Sequence, residues 1–372
     1  MSDNDLTRSD LHTLPVVIET DSVLAEFSAE LAKADLIAID TEADSLHCFR
    51  EKLCLIQISI PGYDEIIDPL APISMEPLAA ALRDKEMIVQ GADFDLRMLR
   101  RANITVAGVF DTLIASKLIG ETDVGYGALV KNFLGIELAK GSQKANWAQR
   151  PLPPIMLDYA RNDTRYLLPL RDLLLTRLRE LGREDWFRQS CRQAWQQASV
   201  DRERNPDEQW RISGSGALRG RAAAVLRALW YWRDKEAEAR DKPTFHILQN
   251  SKMIETAVAI DAGRTIYLSE LRGSRGQRFD AAVREALDLP ESEWPQRIVA
   301  QRHRWTEAQE KEFDRLKEIR DKVAAELRLD PSLLGSRVAL ETIARSPESA
   351  AQTLLPWQLE LLGINAPATP TP

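Results

Sequence analysis

Leu36-Ile37-Ala38-Ile39-Asp40-Thr41-Glu42 is a run of four apolar residues that leads straight into two carboxylates. The run is too short for a helix and reads as a buried strand. On a strand, positions i and i+2 share a face, so Asp40 and Glu42 emerge together where the strand leaves the core. Two crowded carboxylates repel each other and resist desolvation unless positive charge lies between them. A divalent ion that favours hard oxygen ligands, Mg²⁺ or Mn²⁺, meets that need. The plainer reading is that acids mark the polar exit of a strand, and the pair alone leaves both open.

Outward from this strand the chain reads as α/β. A short strand is expected over 14–18, then a helix over 21–34 that leads into the Asp40 strand. Residues 52–60 give its neighbour, and the Pro61-Gly62 turn leads to a further strand over 65–68. Three successive strands imply a mixed sheet that starts as an antiparallel meander. Helix and strand then alternate as far as residue 118, followed by a helix over 122–134 and a loop over 141–153. One long helix is expected over 156–181 and a second over 184–200. Beyond Arg204-Asn205-Pro206 the pattern is helical only, and the order of long helix, Pro turn and short helices occurs twice. The expected domains are therefore 1–205 and two helical modules, 206–295 and 296–365. A Pro/Ala/Thr tail over 366–372 is expected to be disordered.

The 44% hydrophobic and 28% charged residues fit a soluble globular protein. No apolar run approaches the roughly 18–20 residues that span a membrane, and the first 13 residues lack a signal-peptide pattern. Three cysteines without a CxxC pair and four scattered histidines exclude a zinc-finger framework and a disulfide scaffold, and fit a reducing cytoplasm. The net charge of −8 argues mildly against a nucleic-acid partner. The first 205 residues hold that excess, however, and acids that bind metal can still approach phosphate.

Two more stretches extend the opening pair. Gln90-Gly91-Ala92-Asp93-Phe94-Asp95 puts Asp95 at the start of a helix that follows a strand. Tyr159-Ala160-Arg161-Asn162-Asp163 sets a phenol and a carboxylate at i, i+4 on one helix face. Each is weak alone, since such acids are usually caps or surface contacts. Asp40, Glu42, Asp95 and Asp163 together with Tyr159 are far more specific. The set resembles the DEDD superfamily of 3′–5′ exonucleases, in its tyrosine subgroup, and within that the ribonuclease D family. Lys52-Leu53-Cys54-Leu55-Ile56-Gln57, Asp111-Thr112, Lys144-Ala145-Asn146-Trp147, Arg150-Pro151-Leu152 and Tyr166-Leu167-Leu168 add to the resemblance, which covers about residues 14–200. Gln90 departs from it, where relatives often have His. The first helical module resembles HRDC domains through Leu229-Trp230-Tyr231-Trp232-Arg233 and Asp241-Lys242-Pro243, and residues 305–365 do so more loosely.

The resemblance implies a ribonuclease H-like α/β mixed-sheet nuclease domain followed by all-α, HRDC-like domains. It also implies a metal-dependent 3′–5′ exoribonuclease that trims RNA 3′ ends, including tRNA precursors, and acts as a monomer with no membrane partner. Two Mg²⁺ or Mn²⁺ ions would be held by Asp40, Glu42, Asp95 and Asp163. Asp40 would bridge both, with Glu42 and Asp163 on the nucleophile side and Asp95 on the leaving-group side. Tyr159 would orient the attacking water, since an unperturbed phenol stays protonated to about pH 10. Asp93 and Asp111 are read as helix caps. Lys144, Trp147 and Arg150 are candidate RNA contacts by charge and stacking, with Trp147 equally able to pin its loop. Arg227 and Arg233 are the candidates in the helical half, where Trp230 or Trp232 belongs to the core. A DNA 3′–5′ exonuclease and a non-catalytic scaffold are the alternatives.

Overall fold

The computed structural model describes residues 17–139, 141, 143–200, 205–264, 266, 268, 271–296 and 305–365. The expected strand over 14–18 lies largely outside these, and the tail over 366–372 entirely so. Ile18 pairs with Ile67 in a parallel bridge. The chain divides into two compact bodies. One holds residues 1–43, 53–200 and 304–372, and the other residues 44–52 and 201–303.

The first body is built on a five-stranded sheet of order β3-β2-β1-β4-β5. Its strands are β1 (Ile37–Ala43), β2 (Leu53–Ile60), β3 (Tyr63–Ile67), β4 (Glu86–Val89) and β5 (Gly108–Asp111). β1, β2 and β3 form the antiparallel meander, and β4 and β5 run parallel to β1. Ile37 and Ile39 are fully buried in the main core, which leaves Ala38, Asp40 and Glu42 on the opposite face. The β1–β2 register shifts between Glu42 and Ala43, at the point where the acids leave the sheet.

The helices of this body are α1 (Asp21–Lys33), α2 (Glu76–Leu82), α3 (Asp93–Arg101), α4 (Thr112–Ile119), α5 (Tyr126–Leu134), α6 (Pro154–Arg165), α7 (Leu167–Glu180) and α8 (Glu184–Ala198). The single helix expected over 156–181 is two, α6 and α7, which meet at Tyr166 (φ −98°, ψ 0°). Pro169 is the cause. It has no N–H to offer the Arg165 carbonyl, and in a continuous helix its ring would clash with that carbonyl.

Residues 305–365 belong to the same body. They form α13 (Glu307–Leu327), α14 (Pro331–Leu334), α15 (Arg337–Arg345), α16 (Ala350–Thr353) and α17 (Pro356–Leu361). Leu316, Leu340, Ile343 and Leu362 make a small core of their own. Ala324, Leu329, Leu334 and Trp357 join the core of the sheet body instead. The Trp357 ring stacks on Trp186 of α8, centroids 5.1 Å apart and planes at 15°. Arg183, 6% exposed, donates to the Leu118 carbonyl (2.7 Å) and the Leu327 carbonyl (2.9 Å), joining α4 to the end of α13.

The second body is helical, with α9 (Gly220–Glu238), α10 (Thr244–Ile247), α11 (Asn250–Asp261) and α12 (Gly273–Leu287). Val225, Leu226, Leu229, Trp232, Met253 and Phe279 are in its core, so of Trp230 and Trp232 it is Trp232 that is buried there. No helix forms at Leu268 or Leu271, and residues 269 and 270 lie outside the described set. The β1–β2 connection, residues 44–52, belongs to this body. Phe49 packs against its core, and the Phe49 N–H donates to Asp241 Oδ1 (3.1 Å). Arg50 Nη2 donates to Glu238 Oε1 (2.8 Å).

Candidate active site

The site forms where β1, α3 and α6 converge. Strand alternation presents Asp40 and Glu42 on the face that α6 covers, and α6 carries Asp163 to meet them. Carboxylate oxygens of Asp40, Glu42 and Asp163 all lie within 4.8 Å of one another. Asp95, 4% exposed, comes from the first turn of α3. Thr41, between the two acids of β1, turns to the other side and donates its hydroxyl to Asp95 Oδ1 (2.6 Å).

The start of α3 is set by Asp111. Its buried carboxylate accepts from the N–H groups of Gly91 and Ala92, both at 2.9 Å, and from Leu113, also at 2.9 Å, as the cap of α4. Gly91 is left-handed (φ +86°), a conformation that side-chain-bearing residues adopt only at a cost. The turn and the cap together aim α3 so that Asp95 meets β1. Asp93 points away and pairs with Arg97 (3.0 Å). Gln90 serves structure, donating to the Val124 carbonyl (2.9 Å) and accepting from Thr112.

The electrostatics follow from crowding four acids in a partly desolvated space. Burial, then the charges of Asp95, Asp163 and Glu42, push Asp40 well above the usual carboxylate range. Burial, Asp163 and Asp95 push Glu42 up to about 9. Burial pushes Asp95 and Asp163 each up to about 7, opposed by hydrogen bonds from Thr41 and Tyr159 respectively. Burial and the acids around it also raise the Tyr159 phenol, which therefore stays protonated at neutral pH. Such a cluster is short of positive charge, and its hard oxygens suit a divalent ion.

The candidate RNA contacts fare differently. Trp147 is fully buried, its ring 6.1 Å from that of Tyr159, so it offers no face to a base and instead backs the tyrosine. Arg150 forks onto Asp68 through Nε (2.5 Å) and Nη2 (2.6 Å) and donates to the Trp147, Gln149 and Cys54 carbonyls. It is a staple of the loop, with its donors already spent. Arg233, 4% exposed, donates to the Leu248 carbonyl and to Asn250 Oδ1 (2.6 Å), so burial and these bonds take it out of reach of RNA. Arg227 is half-buried and donates to the Glu293 carbonyl (3.1 Å). Lys144 is exposed on its loop.

A family model described as a 3′–5′ exonuclease matches residues 15–179, and one for the HRDC domain matches residues 222–260. The fold and the acid cluster are thus those of a 3′–5′ exonuclease of a divalent-metal-dependent class. The chain is 32% identical over 295 residues to ribonuclease D of Zymomonas mobilis, covering 76% of this chain and 75% of that one. It is 31% identical over 293 residues to ribonuclease D of Sphingobium indicum, covering 75% of each. A solved structure of Escherichia coli RNase D, an exoribonuclease involved in structured RNA processing, shares the fold with a TM-score of 0.70 at 24% identity, over 94% of this chain and 99% of that one. The chain belongs to the ribonuclease D family and is a 3′–5′ exoribonuclease. No helix among the described residues is long and apolar enough to cross a membrane.

Proposed function

We propose that the chain hydrolyses the terminal phosphodiester of RNA 3′ ends with two divalent ions, Mg²⁺ or Mn²⁺, held by Asp40, Glu42, Asp95 and Asp163. The observation that carries this reading is the meeting of Asp40, Glu42 and Asp163 oxygens within 4.8 Å. When bound, the ions supply Lewis acidity to the phosphate and acidify water. The side chains set the rest. Asp40, Glu42 and Asp163 would hold one ion, and Asp40, whose carboxyl also feels the charge of Asp95, would share with Asp95 in holding the second. The Tyr159 hydroxyl, protonated and hydrogen-bonded with Asp163, orients the attacking water rather than deprotonating it. Water oxygen bonds to phosphorus and gives up a proton, the P–O3′ bond breaks, the leaving O3′ takes up a proton, and a 5′-nucleotide departs from a chain shortened by one that ends in a 3′-hydroxyl.

Precursors of tRNA are the proposed substrate class, the chain acting as a cytoplasmic monomer, with residues 206–295 as the HRDC domain and 296–365 as a second, HRDC-like set. The test is digestion of 3′- and 5′-labelled RNA and DNA of matched sequence with Mg²⁺, Mn²⁺ or EDTA. Stepwise loss from the 3′ end of RNA, abolished by EDTA, is expected. Unchanged digestion in EDTA would remove the metal mechanism.

A further inference from the structure

Beside the four acids lies a side chain that no step above uses. Gln57 of β2 is fully buried, and among the described residues neither its Nε2 nor its Oε1 has a hydrogen-bond partner. Buried amides are almost always paired, because leaving one unpaired forfeits its hydration for nothing. Two orphaned ends on one side chain point to a partner that the metal-free arrangement does not yet engage.

The register shows what that partner is near. Gln57 is the cross-strand partner of Asp40, so the two side chains stand on one face as nearest neighbours. Residues two before and two after Gln57 fix what covers it. Leu55 packs with Met156 and Ala160 of α6. Ser59 Oγ lies 2.8 Å from Thr164 Oγ1 of the same helix and 2.7 Å from Asp64 Oδ1. Gln57 therefore sits beneath the turn of α6 between Ala160 and Thr164, which carries Asp163. Ser59 and Thr164 already satisfy each other and Asp64. Asp40, directly across the strand pair, is the acceptor that the register sets beside Gln57.

We infer that Gln57 is a positioning residue of the metal site, its side-chain amide holding the Asp40 carboxylate in the orientation that metal binding requires. The inference rests on the metal-site reading above. Groups that hydrogen-bond a metal-binding carboxylate fix its direction, and losing one typically weakens metal binding 10–100-fold. A polar side chain kept unpaired for this purpose costs the metal-free fold stability, which gives the inference a second signature.

The test titrates Mn²⁺ into the metal-free full chain by calorimetry and follows its melting in EDTA, for the wild type, Gln57→Met, Gln57→Asn and Asp40→Asn. Gln57→Met keeps length and volume but carries no amide. It should bind Mn²⁺ about 10–100-fold more weakly and melt in EDTA at or above the wild-type temperature. Gln57→Asn keeps the amide but withdraws it by one methylene, and should fall between the two in affinity, which tests the inference even if the Met variant does not fold. Wild-type Mn²⁺ affinity in both Gln57 variants would overturn it, as would a Met variant that only melts earlier. Asp40→Asn should lose tight Mn²⁺ binding. If it does not, the metal reading itself fails, and that failure is separate from one confined to the Gln57 variants.

Discussion

The Thr41 hydroxyl donates to Asp95 Oδ1 across 2.6 Å, so the residue between the two acids of β1 serves the acid of α3. One strand thereby sets three of the four carboxylates, two by presenting them and one by hydrogen bond. Thr41→Val keeps the shape and removes the donor. That hydrogen bond opposes the rise of the Asp95 pKa, so its loss moves the titration further up. The variant should need about 10–100-fold more Mg²⁺ for half-maximal rate, with the need easing as pH rises. An unchanged Mg²⁺ dependence at pH 7 would show that the bond is structural only.

The raised carboxyls also fix a pH dependence. An acid whose pKa is higher folded than unfolded leaves the unfolded chain fewer protons than the folded one between the two values, so stability falls as pH rises through that window. For Asp95 and Asp163 the window runs from about 4 to about 7, and for Glu42 to about 9. In EDTA the melting temperature should fall across that range. In Asp163→Asn, which removes one of these groups, it should fall less. Metal binding should release protons over the same range, measurable as a buffer-dependent heat.

Asp40→Asn and Asp163→Asn should abolish hydrolysis while the metal-free fold holds or gains stability at pH 7, because each relieves carboxylate repulsion. Circular dichroism and melting in EDTA check the fold, and a labelled-RNA assay checks the activity. Near-normal turnover at saturating Mg²⁺ would remove these residues from the metal site.

Tyr159→Phe should lower the rate on the order of 10–1000-fold with RNA affinity unchanged. The ring keeps its packing beside Trp147, so only the hydroxyl is tested. Weak binding with normal turnover would make Tyr159 a substrate contact instead.

Trp357→Ala should destabilise the sheet body by about 3–5 kcal/mol, since the ring is 3% exposed and stacks on Trp186. Trp357→Phe should cost less. A denaturant melt that leaves the midpoint in place would mean that α17 does not support the nuclease core.

Much of this was legible in the residues. The β1 acids are read from a four-residue apolar run that ends in two carboxylates at i, i+2, and Asp111 as a cap from its place before Thr112. The break at Tyr166 was masked because the leucines of 167–178 continue a helical spacing, and one proline among them, Pro169, outweighs it. Thr41 and Gln57 act on groups that only the fold brings close, Asp95 from 54 residues away and Asp40 through strand register. Trp147 and Arg150 have the chemistry of RNA contacts, yet burial and an Asp68 fork engage them inside the protein. Residue type states what a side chain is able to do, and tertiary packing decides whether it remains available.

Residues 44–52 leave β1 immediately after its acids and are built into the helical body, where Phe49 and Arg50 meet Asp241 and Glu238. The two bodies are thus interleaved along the chain, and no single cut separates them. A chain ended at residue 205 would strip Phe49 of its packing and take away the Trp357 side of the nuclease core. Swapping the helical body between homologues means transplanting two segments together, 44–52 and 201–303, with residues 304–372 left in place. Any such exchange has to keep a nine-residue loop matched to a partner that begins about 150 residues later.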